Sequence, residues 1–225
     1  MRANRISAWR GLAPLAVLLL AALACSPLAA DPTATPGTAT LYKDDFSNSD
    51  SGWGVGTDDT GSLQYEDGQY RFSMTQSKYF TWGNLAEETF TNIRVITEVE
   101  NKSNTTEPTF GVICQYQDEN NFYYAGFGSD GFYAIVRSEG GEDTVLTDMS
   151  EGNWLQSDDI AVEADRYDLE VECANGEIKL VVDGKTIATV QDDTFTSGQI
   201  GLFVLTWDEP TADVRFDNLR VLEAE

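Results

Sequence analysis

The sequence predicts an all-β fold, a sandwich of two antiparallel sheets that spans residues 41–225. Three observations predict it. Apolar and polar residues alternate over many short segments, turn sequences separate these segments, and hardly any stretch after Leu41 repeats its apolar residues with a helical period. Alternation of period two is typical of strands with one buried face, and many such strands without crossover helices indicate a sandwich.

The alternating segments follow one another along the whole domain. In the first of them, Tyr70, Phe72 and Met74 alternate with polar partners. The later ones carry Ile93, Val95, Thr97 and Val99; Leu169, Val171 and Cys173; Ile178, Leu180 and Val182; Ile200, Leu202 and Val204; and Val214 and Phe216. The turn sequences between segments are EDGQ, GSDGF, CANGE, VDGK and TSGQ, in which Asp-Gly and Asn-Gly supply the positive φ angles of tight hairpins. We therefore expect about a dozen strands.

Residues 1–24 predict a signal peptide. Three arginines and no acidic residue accompany an apolar run from Gly11 to Ala24, which is too short to cross a membrane because a spanning helix needs about 20 residues. The tripeptide ALA before Cys25 resembles the lipobox of bacterial lipoproteins, in which a peptidase cuts before a cysteine that receives lipid. The resemblance implies lipidation of Cys25 and an extracytoplasmic domain anchored to the bacterial cell membrane. Ordinary cleavage after Ala24 or Ala30 is the alternative.

Residues 25–40 predict a flexible linker between this anchor and the domain. The segment is rich in Pro, Ala, Thr and Gly and has no strand or helix periodicity. Such a composition buries too little apolar surface to fold.

The chain after the leader is strongly acidic. Three of the 14 basic residues lie in the leader, which leaves 11 against 38 acidic residues and a net charge of −27. This charge repels phosphate backbones and anionic headgroups, so we expect no nucleic-acid partner and contact with a membrane only through the lipid anchor. Neutral glycans and cations stay compatible, and the domain is expected to be a monomer.

With Cys25 assigned to the leader junction, Cys114 and Cys173 remain as a pair. An exported domain permits disulfides, and both cysteines lie in alternating strand patterns, so we predict a bond between them. Two buried free thiols are the alternative. A metal site on these cysteines is disfavoured because the chain contains no histidine and neither cysteine has a second one nearby.

Three long segments carry a family resemblance. DDFSNSDSGW, FGVICQYQDENNFYYAGFGSDGFYAI and IKLVVDGKTIATVQDDTFTSGQIGLFV, followed by VRFDNLRV, resemble the concanavalin-like jelly-roll family. Its relatives include laminin-G-like modules, family-16 glucanases and the domain named for 3-keto-disaccharide hydrolases. The resemblance implies a jelly-roll β-sandwich. Members bind sugars, hydrolyse glycosides or serve as adhesive modules, and fold alone does not choose among these roles.

The sequence gives little support for catalysis. In DLEVE, Asp168, Glu170 and Glu172 share one strand face, a spacing similar to the Glu-x-Asp-x-Glu strand of family-16 glucanases, but the order of residue types differs. We interpret them, like Glu98 and Glu100, as a solvated strand face. The absence of histidine excludes a Ser-His-Asp mechanism, so only carboxylates could hydrolyse a glycoside. We name no catalytic residue.

Aromatic and amide side chains favour a binding surface instead. If Cys114 faces the core, alternation turns Gln115 and Gln117 the opposite way, and on the next strand it sends Tyr124 outward. Trp82 and Trp207 lie beside turn residues and could rim the same surface. Sugar rings stack on such aromatic faces, although packing in the core is the alternative for each of them.

A structural calcium is the cofactor that the resemblance implies. In the relatives, an aspartate of the last strand and backbone carbonyls near the first strand and hairpin hold it. The matching positions are Asp217, the carbonyl of Gly68 and Asp45. Alternatively, Asp217 binds a neighbouring loop.

These observations together predict a cell-envelope lipoprotein whose jelly-roll domain binds a carbohydrate or another envelope ligand without catalysis. A carboxylate-dependent glycoside hydrolase is one alternative, and a structural or adhesive module is another.

Overall fold

A computed structural model describes residues 39–224, and these residues form strands almost throughout. The strands are β1 (Thr40–Asp44), β2 (Gly56–Asp58), β3 (Gly61–Glu66), β4 (Gln69–Met74), β5 (Tyr79–Asn84), β6 (Ile93–Asn101), β7 (Thr109–Asp118), β8 (Asn121–Gly128), β9 (Phe132–Glu139), β10 (Glu142–Val145), β11 (Leu155–Gln156), β12 (Tyr167–Ala174), β13 (Glu177–Val182), β14 (Lys185–Gln191), β15 (Gln199–Thr206) and β16 (Ala212–Glu223). One 3₁₀ turn, Leu146–Asp148, follows β10. The predicted signal peptide, Cys25 and nearly all of the predicted linker lie outside the described residues.

The strands form two antiparallel sheets, as predicted. One has nine strands in the order β14-β13-β12-β6-β16-β4-β3-β2, with β1 added on β16. The other has seven in the order β10-β9-β8-β7-β15-β5, with β11 added on β9. Within the described residues, no helix is long and apolar enough to span a membrane. The prediction of a two-sheet sandwich is therefore confirmed.

The core lies between the sheets and takes one residue in two from most strands. Phe72 on β4 and Val171 on β12 are completely buried, and on β8 the inward residues Tyr123, Ala125 and Phe127 are buried as well. Trp53 is buried against Phe46 and Tyr70, and its Nε1 donates to a carboxylate oxygen of Asp44. Polar partners satisfy such buried N–H groups, and this one fixes the loop after β1.

A disulfide joins the two sheets across this core. Cys114 on β7 and Cys173 on β12 are bonded with an S–S distance of 2.00 Å and a Cα–Cα distance of 6.6 Å. Because β7 belongs to the seven-stranded sheet and β12 to the nine-stranded sheet, the bond is a cross-link between layers. The predicted pairing is confirmed, and the alternative of two free thiols is wrong.

Charge pairs cover the outward face of the nine-stranded sheet. Glu170 and Glu172 of the DLEVE segment lie 3.7 Å from Arg94 and 3.4 Å from Lys179, respectively. Farther along the face, Arg71 binds Asp213 at 2.8 Å. The carboxylates of DLEVE therefore lie on the outward face of the strand, as the alternation predicts.

Candidate functional site

The outward face of the seven-stranded sheet is aromatic rather than charged. Its buried members, which we call the outward aromatic cluster, are Ile113, Phe122, Tyr124, Ala134, Val136 and Phe203. Phe80, Trp82, Tyr116, Val145, Trp154 and Leu205 are partly buried and pack against them. The outward face of an antiparallel sheet is ordinarily polar, so this apolar patch marks the face as a candidate binding surface.

Phe203 lies flat on this sheet because two glycines leave room for its ring. A Cβ atom at Gly111 would come within 2.6 Å of the ring, and one at Gly126 within 2.7 Å. Phe203 is completely buried, and Phe80 and Tyr124 contact it at centroid distances of 5.2 and 5.3 Å. The centre of the face is therefore a packed second core, and a ligand would reach the face at its margins.

At one end of the face lies a pocket of about 430 Å³, which we call the tryptophan pocket. Its walls are Glu107, Asp130, Phe132, Gly152, Asn153, Trp154 and Trp207. Four separate chain segments supply them: the loop before β7, the turn between β8 and β9, the loop before β11 and the end of β15. The pocket combines three aromatic rings, two carboxylates and one amide.

Local contacts fix the aromatic walls. The indole Nε1 of Trp207 donates to Oγ1 of Thr109 at 3.0 Å, which ties the end of β15 to the start of β7. Trp154 meets Trp207 edge to face, with centroids 5.5 Å apart and ring planes at 86°. Even so, Trp207 keeps 38% of its surface exposed and Phe132 keeps 40%. Rings that are held in place yet remain exposed can stack on a ligand at little entropic cost.

Two carboxylates flank these rings. Oε2 of Glu107 accepts a hydrogen bond from the backbone N–H of Glu209 at 2.9 Å, and Oδ1 of Asp130 accepts one from the N–H of Phe132 at 3.2 Å. Burial raises the pKa of Asp130, and the negative charge of Glu107 raises it further, while the bond from Phe132 opposes both effects. Each carboxylate thus has one oxygen held by the backbone and one without a hydrogen-bond partner within residues 39–224.

Trp207 is the predicted ligand-binding residue that lines this pocket. Tyr124 does point outward, but it is buried under Phe80 and Phe203, and its hydroxyl donates to Oδ2 of Asp143 at 2.9 Å. Burial raises the pKa of Tyr124, and the charge of Asp143 adds to this. Trp82 lies on the same face beside Phe80 but lines a different cleft, next to β2 and β3.

Gln115 and Gln117 do not share the pocket. A β-bulge at Gln115, whose φ is 52°, shifts the alternation by one residue, so that Tyr116 rather than Gln117 packs against the outward aromatic cluster. The amide of Gln117 donates instead to the carbonyl of Ser197. Gln115 is buried, and its Oε1 has no partner within the described residues. Both lie about 20 Å or more along β7 from Thr109, at ~3.3 Å per residue.

Sequence reasoning missed every wall of the pocket except Trp207. Among them, Glu107 lies in the polar loop NKSNTTEP, Asp130 lies in the turn before Phe132, and Trp154 lies in the loop EGNW. No periodicity connects these segments. The one available signal was a tryptophan in a loop otherwise made of small and polar residues, since such a loop offers no core in which to bury it.

The predicted calcium ligands are arranged only in part as expected. Asp217 lies on β16, and Tyr70 on β4 pairs with the preceding Phe216, which brings the hairpin turn at Gly68 to the same end of the sheet. Burial raises the pKa of Asp217, and the charges of Glu98 and Asp45 raise it further. Within residues 39–224, however, no three acidic or cysteine side chains are grouped to hold a metal. Two carboxylates and one carbonyl fall short of the six to eight oxygens that calcium takes.

The comparisons with known proteins agree with the fold. No protein-family model matches the chain, and no curated protein does. Among solved structures, the carbohydrate-binding module CBM66 from Bacillus subtilis matches with a TM-score of 0.59 at 17% identity, over 76% of this chain and 95% of the module. A protein of unknown function with a galectin-like fold from the same organism matches at 0.58 and 15%, over 83% and 98%. A β-glucanase from Bacillus licheniformis matches at 0.56 and 12%, over 85% and 100%. At these identities the likeness shows the fold, a concanavalin-like jelly roll.

Proposed function

We propose that this domain binds carbohydrate in the tryptophan pocket and does not alter it chemically. The observation that carries the proposal is the exposed ring of Trp207, held in place by Thr109, beside the half-buried Trp154 and the carboxylates of Glu107 and Asp130. Aromatic faces take the apolar C–H face of a sugar ring, while carboxylate and amide oxygens accept hydrogen bonds from its hydroxyl groups. The pocket offers both kinds of group within about 430 Å³, enough for one or two sugar units.

A glycan-array screen of the domain, followed by calorimetric titration with the best glycan, tests this proposal. We expect Trp207→Ala to weaken binding at least about tenfold, which corresponds to about 1.4 kcal/mol. The matched control is Trp82→Ala, which removes a half-buried tryptophan from the same face outside the pocket and leaves the affinity within about twofold. Equal losses in the two variants would place the ligand elsewhere on the face.

One observation favours a second candidate, a carboxylate-dependent glycoside hydrolase. Asp130 and Glu107 line the same pocket, and burial and the charge of Glu107 raise the pKa of Asp130; glycosidases use two carboxyl groups, one as the acid and the other as nucleophile or base. Incubation with oligosaccharides and their 3-keto forms, monitored for released sugar, decides between the two. Turnover that either Asp130→Asn or Glu107→Gln abolishes would establish hydrolysis and overturn the binding-only proposal.

We also propose that the domain is displayed outside the cell on a lipid anchor at Cys25, as a monomer. The signal-peptide pattern and the lipobox-like junction support this. Globomycin, which blocks the lipoprotein signal peptidase, should cause the precursor to accumulate, and Cys25→Ser should release the domain from the membrane fraction. A Cys25→Ser protein that stays on membranes and a precursor indifferent to globomycin would contradict the anchor.

We also propose a structural calcium at Asp217, which the family resemblance implies; burial and the charges of Glu98 and Asp45 raise the pKa of this carboxyl, and a bound cation would offset those charges. Calcium should raise the melting temperature of the wild-type domain relative to a sample in chelator, and Asp217→Asn should remove this difference. Identical melting curves with and without calcium would contradict a structural calcium.

A further inference from the structure

We propose that the tryptophan pocket selects a glycan that carries a free, protonated amino group, with the ammonium seated between the aromatic rings and the two carboxylates. This inference rests on the proposed carbohydrate function and specifies its ligand class. Three independent features of the pocket support it: its charge, its walls and the loop that flanks it.

The first feature is uncompensated negative charge. Within the described residues, neither Glu107 nor Asp130 forms an ion pair with a lysine or arginine. The lysine that the chain brings to this end of β15 is Lys78, whose backbone N–H donates to the carbonyl of Trp207. Its Nζ, however, pairs with Asp208 at 3.0 Å. Partly buried carboxylates such as Glu170 and Asp213 have cationic partners, whereas Glu107 and Asp130 have none within residues 39–224.

The second feature is the chemistry of the walls. Phe132, Trp154 and Trp207 present aromatic surface beside the carboxylates. An ammonium group is attracted both to aromatic faces and to carboxylate oxygens, whereas a metal ion such as calcium needs an oxygen shell that three aromatic walls do not supply. This combination favours an organic cation over a metal.

The third feature is the flanking loop, whose sequence from Leu146 to Leu155 contains two acidic residues and no basic one. Asn153, which lines the pocket, donates from Nδ2 to Glu151 at 3.1 Å and from its backbone N–H to Asp148 at 3.4 Å. These carboxylates add negative potential at the mouth of the pocket. An anionic sugar would be repelled there, a neutral sugar would be unaffected by the field, and a cationic sugar would be attracted.

The direction of the pH and salt effects follows from the same groups. The pocket loses a charge as pH falls through the raised pKa of Asp130, so affinity for the ammonium should decline over that range. Added salt should weaken binding as well, because the pocket is open to solvent and its charges are screened.

The test is calorimetric titration of the whole domain with three probes: a glucosamine tetramer with free amines, the same tetramer with every amine acetylated, and choline. The acetylated tetramer is the matched neutral ligand. We expect the amine form to bind at least about tenfold more tightly than the acetylated form at neutral pH and low salt, and the difference to shrink as salt is added.

The variant that tests the mechanism is the double substitution Glu107→Gln and Asp130→Asn, which keeps shape and acceptor oxygens while removing both charges. It should bind the two tetramers equally. The matched control is Glu88→Gln, which neutralises an exposed carboxylate outside the pocket and should leave the preference for the amine intact. A double variant that fails to fold leaves the wild-type comparison of the two tetramers and its salt dependence as the deciding measurement.

The outcomes separate this inference from the function on which it rests. Equal affinity of the wild type for the two tetramers would overturn the cationic ligand and leave carbohydrate binding in place. Binding of choline alone would overturn the glycan and with it the proposed function. Binding of none of the three probes would overturn this inference, and the glycan array would then decide the proposed function independently.

Discussion

The outward faces of the two sheets are built from opposite kinds of side chain. On the nine-stranded sheet, pairs such as Arg94–Glu170 and Arg71–Asp213 cover the surface, whereas on the seven-stranded sheet Phe80, Phe122 and Phe203 pack into a second hydrophobic cluster. Both sheets bury their other face in the same core. A solvated face needs only polar residues, so the aromatic face calls for an explanation, and the binding role that we propose for the tryptophan pocket at its margin would supply one.

This difference also separates stability from binding. Charge pairs that are partly exposed contribute little to folding, because desolvation and side-chain entropy offset the attraction. Buried rings stabilise the fold, and they also hold in place the residues at their margin, which here include walls of the tryptophan pocket. The aromatic face should therefore be sensitive to substitution and the charged face tolerant.

The largest loss of stability is expected when the disulfide between the two sheets is removed, and the losses expected on either face are compared with it. Cys173→Ser would remove a bond that closes a separation of 59 residues, worth about 4 kcal/mol on the chain-entropy estimate, and would leave a hydroxyl and a thiol in the core. We expect a loss of that size in denaturant unfolding, and the same loss when the wild type is reduced. Reactive thiols in the denatured, unreduced domain would contradict the bond.

The next largest effect is expected on the aromatic face. Phe203→Ala would empty the space above Gly111 and Gly126 and should cost about 3 kcal/mol, at the lower end of the range for such a truncation because the face is open at its edges. Urea unfolding measures this cost, and ligand titration of the same variant shows whether the pocket depends on the cluster. A loss below about 1 kcal/mol would mean that the face is solvated like its counterpart.

The contrast between the faces also marks the limit of prediction from sequence. Alternation identified the core because every second residue of a strand with one buried face is apolar. Tyr70, Phe72 and Met74 are all buried, as are Leu169, Val171 and Cys173. The expected dozen strands became sixteen in part because β2 and β11, with three and two residues, are too short to show any alternation. Ladder pairing with neighbours, rather than local pattern, makes them strands.

The site was less accessible to such reasoning. Tyr124 was placed on the outward face correctly, but alternation failed beyond Gln115 because a single residue of positive φ reverses the side of every residue after it. Glu107, Asp130 and Trp154 come from loops that only the folded topology brings together. The alternation of side chains along one strand does not predict which loops come together in the folded domain.

A third prediction concerns a charge at the boundary between the layers. Asp192 accepts hydrogen bonds from Tyr123, from the backbone N–H of Thr194 at 3.1 Å and from Arg137 at 2.5 Å, although its own side chain is nearly buried. Burial raises the pKa of Asp192, but the bonds from Tyr123 and Thr194 and the charge of Arg137 outweigh it and lower the pKa overall.

Because the folded pKa of Asp192 is lowered, its contribution to stability is present above the unfolded pKa of about 4 and is lost as pH falls through the folded value. Asp192→Asn should cost about 1 to 3 kcal/mol at pH 7, the range for a hydrogen-bonded charged group, and progressively less as pH falls below about 4. Unfolding curves at several pH values measure this. A cost that does not change with pH would mean that shape rather than charge matters at this position.

The smallest effect on stability is expected on the charged face, where it tests whether this face tolerates substitution. Burial raises the pKa of Glu170, with Arg94 opposing the shift and Glu172 reinforcing it. A raised folded pKa means that the protonated form is favoured in the fold, so the contribution of Glu170 is fully present below its unfolded pKa and is lost as pH rises through the folded value. Glu170→Gln should therefore leave stability at pH 7 within about 0.5 kcal/mol of the wild type, with any change in the stabilising direction.

Combining Glu170→Gln with Arg94→Met in a double-mutant cycle at low and high salt isolates the pair, for which we expect a coupling free energy below about 1 kcal/mol. If Glu170→Gln lowered the free energy of unfolding by about 2 kcal/mol or more, close to the loss expected for Phe203→Ala, the ion pairs would stabilise the nine-stranded sheet as much as the rings stabilise the other sheet. The contrast between the two faces, on which the site assignment rests, would then be removed.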